Sequence, residues 1–144
     1  TSSSILAPVP FLGMYRASKA AVSALGESLA AEVAQFGIRV VEILPGPIVT
    51  DMLASSEKRA EAGAHAEYSA LADALWESRQ MITDQYTPAE EAARRIVAAC
   101  TRPDAPQLLR VGCDDLAQGM VDAWQATPHD TMIQGILSYY AGQA

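Results

Sequence analysis

The sequence predicts an α/β fold built on a parallel sheet, and three observations predict it. A long helical pattern over residues 14–36 is stopped by Gly37 and runs straight into residues 38–44. That stretch is rich in β-branched residues and apolar enough to lie inside a parallel sheet. A second helix opens at Thr87-Pro88-Ala89-Glu90 and leads to a further strand at residues 108–112.

Composition narrows the function classes. The 144 residues are half apolar with a slightly positive mean hydropathy, enough for one domain with a core of its own. A net charge of -7 and a pI near 4.7 speak against a nucleic-acid partner and against an anionic membrane face. The sequence has no uninterrupted apolar run of about 18 residues, so no membrane span is predicted. Cys100 and Cys113 have no second Cys or His at metal spacing. The expectation is therefore no metal site, no disulfide framework and reduced thiols in a cytoplasmic setting.

Residues 1–13 read as a strand end plus loop, because Pro8 and Pro10 oppose a helix. The serine cluster Ser2-Ser3-Ser4 offers hydroxyl donors there. The helix that follows carries Tyr15 and Lys19, four residues apart and so on one face, one turn from each other. A free phenol ionises near pH 10; an ammonium fixed beside it favours the phenolate and brings it towards proton transfer at working pH. Ala17, Ala20, Ala21, Ala24 and Ser28 form a stripe of small residues beside Leu25 and Leu29, which suits close approach of another helix. Gly26 is read as permitting a close neighbour. Gly37 is the C-terminal glycine stop.

After strand 38–44 comes Pro45-Gly46-Pro47-Ile48-Val49-Thr50. Ligands of doubly wound sheets sit beyond the carboxyl ends of the strands, which favours a cofactor role for this turn. Residues 51–86 change to alanine and charge and read as one or two short helices over the site. Met52, Leu53, Tyr68, Leu71, Leu75, Trp76 and Met81 are the candidate pocket walls, and His65 is read as a solvated residue of that segment. Thr87 is the expected N-cap, with Pro88 at the first helical position and Glu90 completing a capping box. Ala93, Ile96, Val97 and Cys100 are expected inward. Residues 115–140 read as helices broken around Thr127-Pro128. There Trp124, Ile136, Leu137, Tyr139 and Tyr140 are core or interface residues, and His129 is a turn residue.

The order of a serine cluster, Tyr15-Arg16-Ala17-Ser18-Lys19, a long helix, a strand and Pro45-Gly46-Pro47-Ile48-Val49-Thr50 resembles the short-chain dehydrogenase/reductase family. The resemblance implies a Rossmann-like, doubly wound parallel sheet, of which this chain is the C-terminal half. On this reading, residues 1–50 are the catalytic loop, helix, strand and cofactor turn. Residues 51–86 are a mobile substrate lid, and residues 87–144 are the C-terminal helices and last strand. No G-x-G-x-x-G occurs among the nine glycines. The nucleotide-binding half is therefore expected elsewhere, in the same or a separate chain.

The resemblance further implies an NAD- or NADP-dependent oxidoreductase acting on an apolar alcohol or carbonyl substrate. Tyr15 would move the proton, Lys19 would assist it and bond the nicotinamide ribose, and Ser2 or Ser4 would polarise the substrate oxygen. Family spacing selects Ser2, thirteen residues before Tyr15. The local serine pattern selects Ser4, and Ser2 is preferred. Pro45 and Gly46 would border the nicotinamide, Ile48 would offer backbone groups to its carboxamide, and Thr50 would bond the carboxamide or pyrophosphate. The helix over residues 15–36 would mediate a homodimer or homotetramer. Two alternatives accompany this reading. One is a non-redox lyase of the halohydrin dehalogenase type, which carries Arg at the Lys position; Lys19 speaks against it. The other is a non-catalytic or regulatory relative serving as a partner surface.

Overall fold

A computed structural model describes residues 1–56 and 60–126. A short 3-10 turn, Ser3–Leu6, precedes helix α1, Gly13–Val33. Strand β1, Val40–Ile43, and the two-residue β2, Ile48–Val49, follow. Helices α2, Asp51–Ser56, and α3, Ala66–Gln80, occupy the alanine-rich segment. Strand β3, Thr87–Pro88, leads into α4, Ala89–Thr101, then β4, Leu108–Val111, and α5, Asp115–Ala126.

The strands form two parallel pairs, β1 with β4 and β2 with β3. The fold is α/β with parallel strands, as the sequence predicts. Register places Glu42 beside Arg110, and Arg110 Nε donates to Glu42 Oε2 at 2.7 Å. The same guanidinium reaches Glu27 and Ser23 of α1 and lies over the Trp124 ring of α5, 5.5 Å from its centroid. One side chain thus ties both strands to two helices. Burial pushes the Glu42 carboxyl up, but its neighbours Ser23, Arg110 and Thr1 outweigh this and leave it below the usual carboxylate range. The apolar centre is small: Leu6, Leu44 and Val121 are buried, with Ile5, Met120 and Trp124 packed on them.

Several expectations need correction. Residues 3–6 form a 3-10 turn where a strand end and loop were expected, because the Ser2 hydroxyl accepts from the Ser4 N–H and caps it upstream of both prolines. β1 is shorter than residues 38–44, since the Ile38 carbonyl is taken by Gln107 Nε2 at 2.6 Å. Thr87 does not cap α4. Its N–H donates to the Pro47 carbonyl at 3.1 Å, so the extended backbone favoured before proline becomes strand β3. α3 runs for 15 residues, longer than a short helix.

Helix faces also differ from expectation. In α4 the buried residues are Ala92 and Ala99, while Ala93, Val97 and Cys100 are exposed. Alanine occupies both candidate stripes, so periodicity alone does not choose between them. In α1 the buried residues are Ser23 and Ala30, and the stripe Ala17, Ala20, Ala21, Ala24, Ser28 faces outward. A Cβ on Gly26 would meet nothing within 4 Å, so that glycine admits no close neighbour here. Gly37 does stop the α1 segment, in the left-handed conformation at φ 69°. Trp124 is half-buried on the core, whereas Ile136, Leu137, Tyr139, Tyr140 and His129 lie outside the described residues.

Candidate active site

At the carboxyl end of β1 the serine cluster meets the Pro45-Gly46-Pro47 turn. The Thr1 hydroxyl donates to the Ile43 carbonyl at 2.9 Å, and the Ser3 N–H donates to the Pro45 carbonyl at 2.9 Å. The serine cluster is thereby laid beside the Pro45-Gly46-Pro47 turn. Arg16 joins helix α1 to the same cluster. Its Nε donates to the Ser4 carbonyl at 2.7 Å and its Nη2 to the Ile5 carbonyl at 3.3 Å. A planar guanidinium can bridge two successive carbonyls in this way where an ammonium would bind as a point.

On the next residue positions, helix spacing does what it predicts. The Lys19 ammonium stands over the Tyr15 ring, 5.3 Å from its centroid. Tyr15 is 40% exposed, so its phenol is reachable from solvent. The two serines are not equivalent. Ser2 is buried and its hydroxyl accepts from both the Ser4 hydroxyl, at 3.1 Å, and the Ser4 N–H, at 3.3 Å. The Ser4 proton is spent on Ser2, while the Ser2 proton remains to be donated.

Gly46 holds a residue that sequence reading missed. Its N–H donates to Asp114 Oδ2 at 2.8 Å, and Asp114 is 1% exposed. The second oxygen, Oδ1, accepts from the Ala117 N–H at 2.8 Å and so caps α5. A Cβ on Gly46 would lie 2.6 Å from Asp114 Oδ1, which is why glycine is needed there. Nothing local in the sequence marks Asp114 for this role, because its partner is 68 positions away. Ile48 lies in β2, and its carbonyl accepts from the Thr50 hydroxyl at 3.3 Å. The same hydroxyl accepts from the Leu53 N–H at 3.3 Å, so Thr50 caps α2 in this structure.

A cavity of about 470 Å³ opens between residues 10–12 and α3. Phe11, Leu12, Ala72, Leu75, Trp76 and Arg79 are among its walls. Of the seven expected wall residues, Leu75 and Trp76 line it. Met52, Tyr68 and Met81 are exposed instead, and Leu53 and Leu71 are half-buried away from its walls. Phe11 stands at φ 63°, in the left-handed region that a non-glycine residue rarely occupies, and packs edge-on against Tyr68 at 6.1 Å between ring centroids. Nothing in the spacing of the sequence signals that conformation. His65 is exposed, as expected. Glu90 and Glu91 stand in the first turn of α4, and Glu91 pairs with Arg94 and Arg95, a structural use.

Cys100 is exposed and Cys113 buried; burial, with Asp114 adjoining, pushes the Cys113 thiol up and makes it a poor nucleophile. Among the described residues no helix is long and apolar enough to cross a membrane. No solved structure matches the chain. Residues 1–61 match the family model described as short chain dehydrogenase. The matched span includes the serine cluster, Tyr15, Lys19 and the turn from Pro45 to Thr50.

Proposed function

We propose that this chain takes part in an NAD(P)-dependent interconversion of an alcohol and a ketone or aldehyde. The observation that carries the reading is the pairing on α1, an exposed phenol with an ammonium over its ring, on a helix bound through Arg16 to the serine cluster. Tyr15 passes the proton to or from the substrate oxygen. Lys19 steadies the negative charge that develops on the phenol oxygen during the transfer. Ser2, which keeps its proton to give, polarises the carbonyl, and Ser4 holds Ser2 in place.

The donor set suits a nicotinamide nucleotide. The Lys19 ammonium has three donors and stands half-exposed, open to ribose hydroxyls. The turn from Pro45 to Ile48 adjoins the serines, and Thr50 would have to exchange its capping bonds for the cofactor. When bound, the nicotinamide supplies the hydride. Replacing Tyr15 with Phe is expected to cut turnover, read as NAD(P)H absorbance on adding carbonyl substrates, by about a hundredfold or more. The circular dichroism spectrum should stay unchanged. Full activity in that variant would overturn the assignment.

The exposed stripe of α1 supports a homo-oligomer. Leu25 beside it is 66% exposed, and small residues let a second helix come close. Leu25→Glu should lower the sedimentation mass of the protein, and an unchanged mass would remove this helix from any interface.

A further inference from the structure

We infer that the cavity between residues 10–12 and α3 takes an apolar ligand that carries one carboxylate, and that Arg79 is the group that pairs with it. Ala72, Leu75, Trp76 and Arg79 recur at three- and four-residue spacing and so form one face of α3, turned to the cavity. Phe11 and Leu12 face them across the space. A volume of about 470 Å³ falls in the range of small-molecule sites, whose walls are mostly apolar with a few convergent polar groups. The body of the ligand is therefore apolar.

Its polar end is set by Arg79. Among the described residues the guanidinium meets one hydrogen-bond partner, the Ser56 carbonyl, at a long 3.4 Å. Among these residues, most of the five N–H donors in its planar fork are unspent at the edge of an apolar wall. Carboxylate is the acceptor that matches this fork with two parallel bonds. Glu61, also on the wall, has an interaction of its own, and among the described wall residues Arg79 is the cation. A dianion such as phosphate would set two charges against one guanidinium with a carboxylate close by, so a monoanion fits better. Phe11 adds a second mark of a built site. Its backbone is left-handed, and strain of this kind collects where a side chain must be aimed.

As a statement about substrate, this rests on the oxidoreductase reading above; as a statement about binding, it does not. Trp76 on the wall provides a readout that needs neither cofactor nor turnover. The full chain is titrated with phenylpropionate and with its neutral amide, following tryptophan emission, and Trp76→Phe assigns the signal. The acid is expected to bind about tenfold more tightly than the amide, the worth of one charge-assisted pair. Arg79→Gln should bring the acid down to the level of the amide and leave the amide unchanged, and Arg79→Lys should keep part of the gap. Equal binding of acid and amide, a gap that survives Arg79→Gln, or an emission change that survives Trp76→Phe would each overturn the inference. Binding of the acid, with no NAD(P)H consumed when the matching keto acid phenylpyruvate is supplied, would count against the oxidoreductase reading and leave this one standing.

Discussion

At one end of β1, Arg39 donates from Nη1 to the carbonyls of Arg102, Pro103 and Ala105, and Gln107 donates to those of Ala30 and Ile38. At the other end, Asp114 accepts from Gly46 and Ala117, Thr1 donates to Ile43, and the Ser3 N–H donates to Pro45. Both ends use side chains to close loops whose backbone groups have no strand partner. The difference lies in exposure and in what is left over. The Arg39 end is solvated and its donors are consumed in holding loops. The Asp114 end is buried, and holding its turn leaves the Ser2 hydroxyl with a proton still to donate. The proposed site would be the remainder after the loops have been satisfied.

The sharpest way to break this contrast is to remove one tie from each end. Asp114→Ala leaves two N–H groups without their acceptor in a buried place and should cost about 3 kcal/mol in urea unfolding. Turnover should fall with it, because the Gly46 turn is released. Asp114→Asn keeps one acceptor and should recover part of both. Arg39→Met, by contrast, should cost about 1 kcal/mol and leave turnover alone. Equal effects at the two ends would remove the distinction.

Glycine substitutions sharpen the same contrast at a smaller scale. Gly46→Ala forces a Cβ to within 2.6 Å of a buried carboxylate oxygen and should cost about 2 kcal/mol, with lost turnover. Gly37→Ala meets nothing within 4 Å and pays only for its φ of 69°, about 1 kcal/mol, with activity kept. Thermal melts and NAD(P)H assays on both variants check this.

The smallest effect concerns Glu42, midway along the strand. Its folded-state carboxyl titrates below the usual range, so as pH falls the unfolded chain takes up the proton first. The stability it contributes is whole above the ordinary glutamate value, about pH 4.3, and is lost as pH falls through the folded-state value. Glu42→Gln should flatten the decline of the urea midpoint below about pH 4.3. An unchanged decline would place the acid sensitivity elsewhere.

What sequence alone revealed followed from range. Tyr15 and Lys19 share one helix, so four-residue spacing was enough to bring them together. Gly37 as a helix stop and the last strand were legible for the same local reason. Asp114 with Gly46, Thr87 with Pro47, and Arg16 with Ser4 are decided by packing between distant segments, where neighbouring residues carry no hint. In α4, alanines on both faces left the inward stripe undetermined until β1 was placed against it. Phe11 escaped notice because its backbone is set by what surrounds it, not by its own preference.

The Arg16 fork has one further consequence. It binds the first turn of α1 directly to the carbonyls of Ser4 and Ile5, so residues 7–12 are bypassed as a spacer. Inserted or deleted residues in that connection would reshape the mouth of the Phe11 cavity while the phenol kept its place relative to the serines. On the proposed reading, specificity and proton chemistry can therefore drift independently, with one guanidinium as the joint between them.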